Sequence, residues 1–193
     1  GAGNFAYYDE FGNKYSEGPF TKEGWRNGVS SFYYRNGALK AKANYKEGLL
    51  DGEKNIYYRD GKVSETINYV DDSEDGYYTS FFMNNRMKTE GWYKAGDQQG
   101  NFTYYDLTGN VNSQVNYLNG EQDGYSTYFY PNGKKDYEEL YDETWIKHIT
   151  QWDSTGKVLL DIDIPDGNGD FVFKHHNGKP YIKGSYKNFL LQG

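Results

Sequence analysis

The chain has 193 residues, a net charge of −7, no cysteine, and 22 Tyr against 2 Met. No run of Lys and Arg provides the cluster that polyanions require, which disfavours anionic lipid and gives the expectation of no nucleic-acid partner; the missing thiols exclude disulfides and thiolate chemistry. An aromatic content of 19% marks a folded chain, since disordered segments are poor in aromatics, and it makes tyrosine the amphipathic filler of a thin core.

A glycine recurs every 24 residues at Gly28, Gly52, Gly76, Gly100 and Gly124, with Gly3 placed 25 before the first of these. The frame continues at Lys147, Gly169 and Gly193, the last opening a ninth copy. From Gly3 the first copy reads Tyr7-Tyr8, Asp9-Glu10-Phe11-Gly12, then a second run to Phe20. From Gly28 the second reads Tyr33-Tyr34, Asn36-Gly37 and Tyr45; from Gly52 the third reads Tyr57-Tyr58, Asp60-Gly61 and Tyr69. The fourth has Phe81-Phe82, Asn84-Asn85 and Tyr93, and the fifth Tyr104-Tyr105, Asp106-Leu107-Thr108-Gly109 and Tyr117. The sixth has Phe129-Tyr130, Asn132-Gly133 and Tyr141. The seventh keeps only Trp152, followed by Asp153-Ser154-Thr155-Gly156 and Ile164, and the eighth has Asn177-Gly178 and Tyr186.

Each copy is a β-hairpin. Asn36-Gly37, Asp60-Gly61, Asn132-Gly133 and Asn177-Gly178 predict two-residue turns with both central residues at positive φ, and Asn84-Asn85 the same. The copies turning at Asp9–Gly12, Asp106–Gly109 and Asp153–Gly156 predict a turn one residue longer, a type I turn followed by a glycine bulge. A two-residue turn fixes the register: Tyr34 opposite Leu39, Phe32 opposite Ala41, Ser30 opposite Ala43, and Gly28 opposite Tyr45, the aromatic covering a strand glycine. In the Tyr104-Tyr105 copy, the longer turn sets Tyr105 opposite Val111. Alternation of faces then gives an inward row of Tyr8, Tyr34, Tyr58, Phe82, Tyr105, Tyr130 and Trp152. The outward row is Tyr7, Tyr33, Tyr57, Phe81, Tyr104 and Phe129, spaced by roughly 9–10 Å at two strands per copy.

The expected fold is all-β: an elongated, single-layer antiparallel sheet of about eight tandem hairpins, with 1–193 as one array. Asp71–Asp75 and Asn119–Asp123 link one hairpin to the next. No apolar run approaches the roughly 20 residues of a membrane-spanning helix. The start at Gly1-Ala2-Gly3, without Met, reads as processed or engineered. A removed leader, and with it a periplasmic or secreted location, is the expectation, with the cytoplasm as the alternative.

These marks resemble the MORN-repeat variant family of bacteria. The pattern is an aromatic pair, Asn-Gly, a strand, Tyr-x-x-Gly and a final Asp-Gly. Its best instance runs from Tyr33-Tyr34-Arg35-Asn36-Gly37 through Tyr45-Lys46-Glu47-Gly48 to Asp51-Gly52. The resemblance covers essentially the whole chain, and the seventh copy, with Lys147 for Gly and Ile164 for Tyr, departs most. It implies a repeat scaffold of the antitoxin-like, YwqK type and supplies no catalytic residue.

Other chemistry has little support. Asp166-Gly167-Asn168-Gly169-Asp170 opens like a calcium loop, but Phe171 and Asn177 stand where that loop needs Gly and Glu; the acidic Asp71–Asp75 run has the same turn-like setting. His148, His175 and His176 are the only histidines and lack the companions of a usual ligand set. No phosphate loop and no nucleophile–His constellation stands out, and Asp161 with Asp163 is the one acid pair that departs from the repeat. The expectation is therefore no enzyme, no cofactor and no metal. The outward aromatic row is the candidate binding site, its partner most simply a protein. A periplasmic or cell-surface glycan is the alternative, and a purely structural spacer the third reading.

Overall fold

The computed structural model describes residues 2–164, 167–175, 178–188 and 190–192. Asp166, His176, Asn177 and Gly193, all singled out in the sequence, lie outside the described residues. Contacts group the chain into two compact units, Gly1–Asp97 and Gln98–Gly193. Within each unit the long strands pair antiparallel, each beside the one that precedes it along the path. No described residue is helical. The all-β tandem-hairpin architecture is thus as the sequence predicts.

The first unit holds four hairpins: β1 (Gly3–Tyr8) with β2 (Lys14–Phe20), β3 (Gly28–Tyr33) with β4 (Leu39–Lys46), β5 (Leu49–Tyr57) with β6 (Val63–Val70), and β8 (Gly76–Phe81) with β9 (Met87–Lys94), plus the two-residue β7 (Ser73–Glu74) beside β6. Gly28, Gly52 and Gly76 lie opposite Tyr45, Tyr69 and Tyr93, as the period requires. The tyrosine then rests against a second ring of its own hairpin: Tyr45 on Phe32 at 6.4 Å and Tyr93 on Tyr78 at 5.7 Å. Small residues beneath these rings form the core. Ser16, Ser30, Ala41, Ala43, Ile67, Ser80 and Thr89 are buried, and they define the inner face of this unit.

The second unit holds β10 (Asp97–Tyr105) with β11 (Val111–Leu118), β12 (Glu121–Phe129) with β13 (Lys135–Asp142), and β14 (Trp145–Trp152) with β15 (Val158–Asp163). Its inner face buries Phe102, Ser113, Val115, Ser126, Ile149 and Gln151. Ile164 is fully buried, so a branched aliphatic fills the repeat tyrosine's place in the seventh copy. The eighth copy departs from a continuous array: β16 (Gly169–Lys174), β17 (Pro180–Lys187) and β18 (Leu190–Gln192) form a separate three-stranded sheet. The Gln151 side-chain amide bridges the break, donating to the Lys174 carbonyl at 2.9 Å and accepting from the Lys174 N–H at 3.0 Å.

Two predicted details are corrected. All the hairpin turns belong to one class. Gly37 N–H donates to Tyr34 O at 2.9 Å and Tyr34 N–H to Ala38 O at 2.8 Å, the same pattern as Gly109 to Asp106 and Asp106 to Asn110. In these turns only the last residue is left-handed, for example Gly37 at φ 82°. Asn36-Gly37 and its equivalents therefore close a type I turn with a glycine bulge. The turns with two positive φ values lie instead between copies, as in Asn119 at 52° with Gly120 at 83° and Asp71 at 46° with Asp72 at 65°. Both turn types accept Asn-Gly, so the dipeptide alone does not separate them.

The second correction follows from the first. A register shift interrupts each hairpin just before its turn, so Phe32 opposes Ala41 but Tyr33, not Tyr34, opposes Leu39. The same shift pairs Tyr105 with Val111, as expected. Tyr34 sits inside the turn and opposes nothing.

The link turns also bond to one another. In the first unit Gly48 donates to Arg26 O at 2.8 Å, Asp72 to Leu50 O at 2.9 Å and Gly96 to Glu74 O at 2.8 Å. Within the second, Gly120 donates to Gln98 O at 3.0 Å. Each turn thereby satisfies a main-chain carbonyl of the copy before it, which a buried or half-buried peptide group needs.

Candidate functional site

The six residues expected to share an outward row occupy two different ladder positions. Tyr33, Tyr57 and Phe81 stand just past the register shift, opposite Leu39, Val63 and Met87. All three are half-buried. The Tyr33 hydroxyl donates to Glu17, and the Lys14 ammonium lies 4.6 Å over its ring. Glu17 pairs with Ser31 and alternates with buried Ser16, so Tyr33 lies on the outer face. Its hydroxyl pKa is raised, chiefly by the bond to Glu17.

Tyr7 holds the ladder position before the shift, opposite Ser16. Its ring meets Phe20 at 5.7 Å and the Arg26 guanidinium at 5.9 Å, which puts it on the inner face. In the second unit Tyr104 likewise opposes buried Ser113, its hydroxyl 3.4 Å from that of Tyr117. Phe129, opposite Lys135, takes the position of Tyr33. Tyr7 and Tyr104 are therefore inner-face residues. Tyr8 and Tyr105, expected inward, hold the Tyr33 position opposite Lys14 and Val111.

Sequence reasoning missed the most exposed aromatic pair on the outer face of the first unit. Tyr77 and Trp92 oppose each other across β8 and β9 with ring centroids 6.4 Å apart. They are 44% and 50% exposed. Tyr77, Thr79 and Phe81 alternate with inner-face Tyr78 and buried Ser80, so the pair shares a face with Phe81. The Tyr77 hydroxyl donates to Glu90, and this bond pushes its pKa up to about 12, keeping it a neutral donor at any ordinary pH. Trp92 stands where Asn44, Asn68 and Asn116 precede the repeat tyrosine. Asn68 and Asn116 use their amides to bond the main chain of the next strand, at Tyr77 O (3.4 Å) and Tyr125 O (2.9 Å). Trp92 gives up that bond for an exposed indole, and the Asn-to-Trp departure is the signal that marks it.

The remaining candidate chemistry is absorbed by the fold. Asp161 and Asp163 both pair with His148, at 2.8 Å to Nε2 and 2.7 Å to Nδ1. Hydrogen bonding to Asp163 raises the imidazole pKa despite some burial. Asp72 closes a link turn by accepting from Leu50 N–H at 2.7 Å, and Asp75 pairs with Lys94 at 3.0 Å. Among the described residues no group of three His, Asp or Glu side chains is arranged to hold a metal, and no helix is long and apolar enough to cross a membrane.

A search of curated proteins finds none that matches the chain. The family pattern described as the MORN repeat variant matches residues 26–47, 50–71, 98–119, 122–143 and 168–188, together more than half of the sequence. Each match starts within two residues of the anchor position and ends in or next to a link turn, so the family unit and the structural hairpin coincide. Repeats of this kind are generally binding or scaffold modules rather than enzymes. With hairpin, anchor glycine, facing tyrosine and stitched link turns recurring in that register, the chain belongs to the MORN repeat variant family.

Proposed function

We propose that the chain is a non-enzymatic scaffold whose outer face binds a protein partner, in the antitoxin-like manner that the family resemblance implies. The observation that carries this reading is the outer aromatic face of the first unit, where Tyr33, Tyr57 and Phe81 recur at one ladder position with exposed Tyr77 and Trp92 beside them. Exposed apolar stripes mark interaction sites. Tyr and Trp supply rigid contact area together with a hydrogen-bonding group. Phe129 offers the same placement in the second unit.

The test is capture of partners on the tagged chain from extracts of the native cell, identified by mass spectrometry. A Tyr33→Ala/Tyr57→Ala variant serves as the control. One saturable protein that the variant loses, at a nearly unchanged melting temperature, is the expected result. If the variant unfolds, those rings are core and the outer-face assignment fails.

The Tyr77–Trp92 pair also favours a second reading, glycan binding, because two exposed neighbouring rings form a platform on which a sugar ring can stack. Polysaccharide that quenches Trp fluorescence independently of salt, with no protein captured, would select it.

A further inference from the structure

Fifteen residues past each anchor, the second strand of the hairpin carries Gly18, Ala43, Ile67, Gly91, Val115, Glu139, Ile162 or Gly184. Only the sixth copy puts a carboxyl there. Glu139 is half-buried on the inner face of the second unit, between fully buried Ser126 on β12 and Ile149 on β14. The Ser126 hydroxyl has no hydrogen-bond partner. The Tyr141 hydroxyl donates to Glu139 Oε2 at 3.1 Å, and no ion pair of the described residues includes this carboxyl. Next along the same face, Tyr128 and Tyr137 oppose each other with stacked rings 4.1 Å apart.

The β16–β18 sheet closes over this place. Phe173 meets Tyr137 edge-on at 5.8 Å, and Tyr186 packs on Phe171 at 5.5 Å. Burial, and after it the charge of Glu139, raises the Tyr186 hydroxyl pKa, so the two groups are within electrostatic reach. No ladder joins β15 to β16. The small sheet is held by these rings and by the Gln151 amide pair with Lys174.

The other charged groups of these strands are engaged elsewhere. On β13, Asp136 is bonded by the Tyr130 hydroxyl, and Glu138, which alternates with Glu139, pairs with Lys135 on the outer face. On β14, His148 is held by Asp161 and Asp163 on the outer face, and Lys147 stands 3.8 Å from Asp142 at the register shift. Lys174 of β16 lies 3.4 Å from the Leu159 carbonyl, and Lys183 and Lys187 of β17 are exposed. A carboxylate with no cation to offset its lost hydration is costly to bury, and burial raises the Glu139 pKa. We propose that Glu139 is a proton-controlled latch for the β16–β18 sheet: the neutral carboxyl lets the rings of β16 and β17 close over it, and the carboxylate draws in water and releases them. Closure is favoured below the ordinary glutamate range and is lost as pH rises through the folded pKa of Glu139. The latch lies on the inner face of the second unit and does not depend on the outer-face reading.

The test is nuclear magnetic resonance on the full chain across the carboxylate and imidazole ranges, about pH 4 to 8. The Glu139 Cδ shift reports its own titration. Amide exchange of β16 and β17 reports closure, with the β10–β11 amides in the same spectra correcting for the intrinsic pH dependence of exchange. The expected result is that Glu139 titrates above the ordinary glutamate range and that β16 and β17 lose at least tenfold protection, relative to β10–β11, with the same midpoint. Glu139→Gln, and Glu139→Val with the residue type of the fifth copy, are expected to keep β16 and β17 protected throughout. Asp136→Asn and His148→Gln are expected to leave the loss in place, which separates it from those titrations. Glu139 titrating in the ordinary range, protection that does not change at its midpoint in the unaltered chain, or the same loss in Glu139→Gln overturns the proposal.

Discussion

The Tyr34 hydroxyl donates a hydrogen bond of 2.8 Å to the main-chain carbonyl of Tyr57, one copy farther along. The same bond runs from Tyr58 to Phe81 at 2.6 Å and from Tyr130 to Trp152 at 2.9 Å. Its donor is always the first residue of the hairpin turn. Where that residue is Asp, the side chain instead caps its own turn: Asp106 accepts from Thr108 N–H at 2.8 Å and Asn110 N–H at 3.0 Å, and Asp9 and Asp153 do likewise. One position thus chooses between fastening neighbouring copies and fastening its own turn. In the tyrosine copies the turn cap passes to the third turn residue, as Asn36 accepts from Ala38 N–H at 3.1 Å.

Removing a latch leaves the acceptor carbonyl and deletes one neutral hydrogen bond, typically a net loss of about 0.5–1.5 kcal/mol. Tyr34→Phe, Tyr58→Phe and Tyr130→Phe are each expected to destabilise by that amount. Across a chain of this length that is a drop of a few degrees in melting temperature, roughly 2–4 °C per kcal/mol. Phe82→Leu, at a turn start whose ring has no hydroxyl, removes no such bond. Thermal scans of the four variants check the contrast.

Left-handed backbone gives two expectations of opposite sign. Gly76 sits at φ 131°, and a Cβ there would lie 2.9 Å from Asn68 Cβ. Gly76→Ala is expected to cost about 1–3 kcal/mol, the usual strain of a side chain in such a region. Thr144 already holds φ 72° in a link turn, a poor place for a β-branched residue. Thr144→Gly is expected to stabilise by about 1 kcal/mol. Urea denaturation at constant m-value reads both.

The second unit should lose stability as pH rises through the neutral range. His148 is held by Asp163 and Asp161, so its folded pKa lies above the unfolded value. The contribution is complete below the unfolded pKa, about 6.5, and is lost as pH climbs through the folded one. The melting temperature is expected to fall as pH rises above the ordinary imidazole value of about 6.5, and His148→Gln is expected to flatten that decline.

Asp106 behaves with the opposite sign. Its turn bonds, the Thr108 side chain foremost, lower its pKa to about 2. The stabilisation is present above the unfolded value and disappears as pH falls through about 2. Asp106→Asn retains an acceptor for the turn and is expected to soften the acid limb of a pH–stability profile measured by circular dichroism.

Much of this fold was legible in the sequence. The 24-residue period fixed the hairpins, and Gly28 opposite Tyr45 follows from counting inward to the turn. The aromatic rows were only half legible, because the aromatic pair does not keep a constant distance from the anchor glycine. Counting forward from the anchor glycine puts Phe32 with Tyr7 and Tyr33 with Tyr8, and the structure agrees. The pair shifts by one between copies, while the ladder does not. The register shift at Tyr33 was hidden because Asn-Gly suits two turn types that differ by one residue of pairing.

Protein binding through the aromatic residues of the outer face is the central proposal. It is tested most directly by calorimetric titration of the purified captured partner against the native chain and against Trp92→Ser. The Kd is expected to rise at least tenfold while the melting temperature stays within a degree or two, since half of the Trp92 surface is already exposed. An unchanged Kd in a folded Trp92→Ser protein would contradict it.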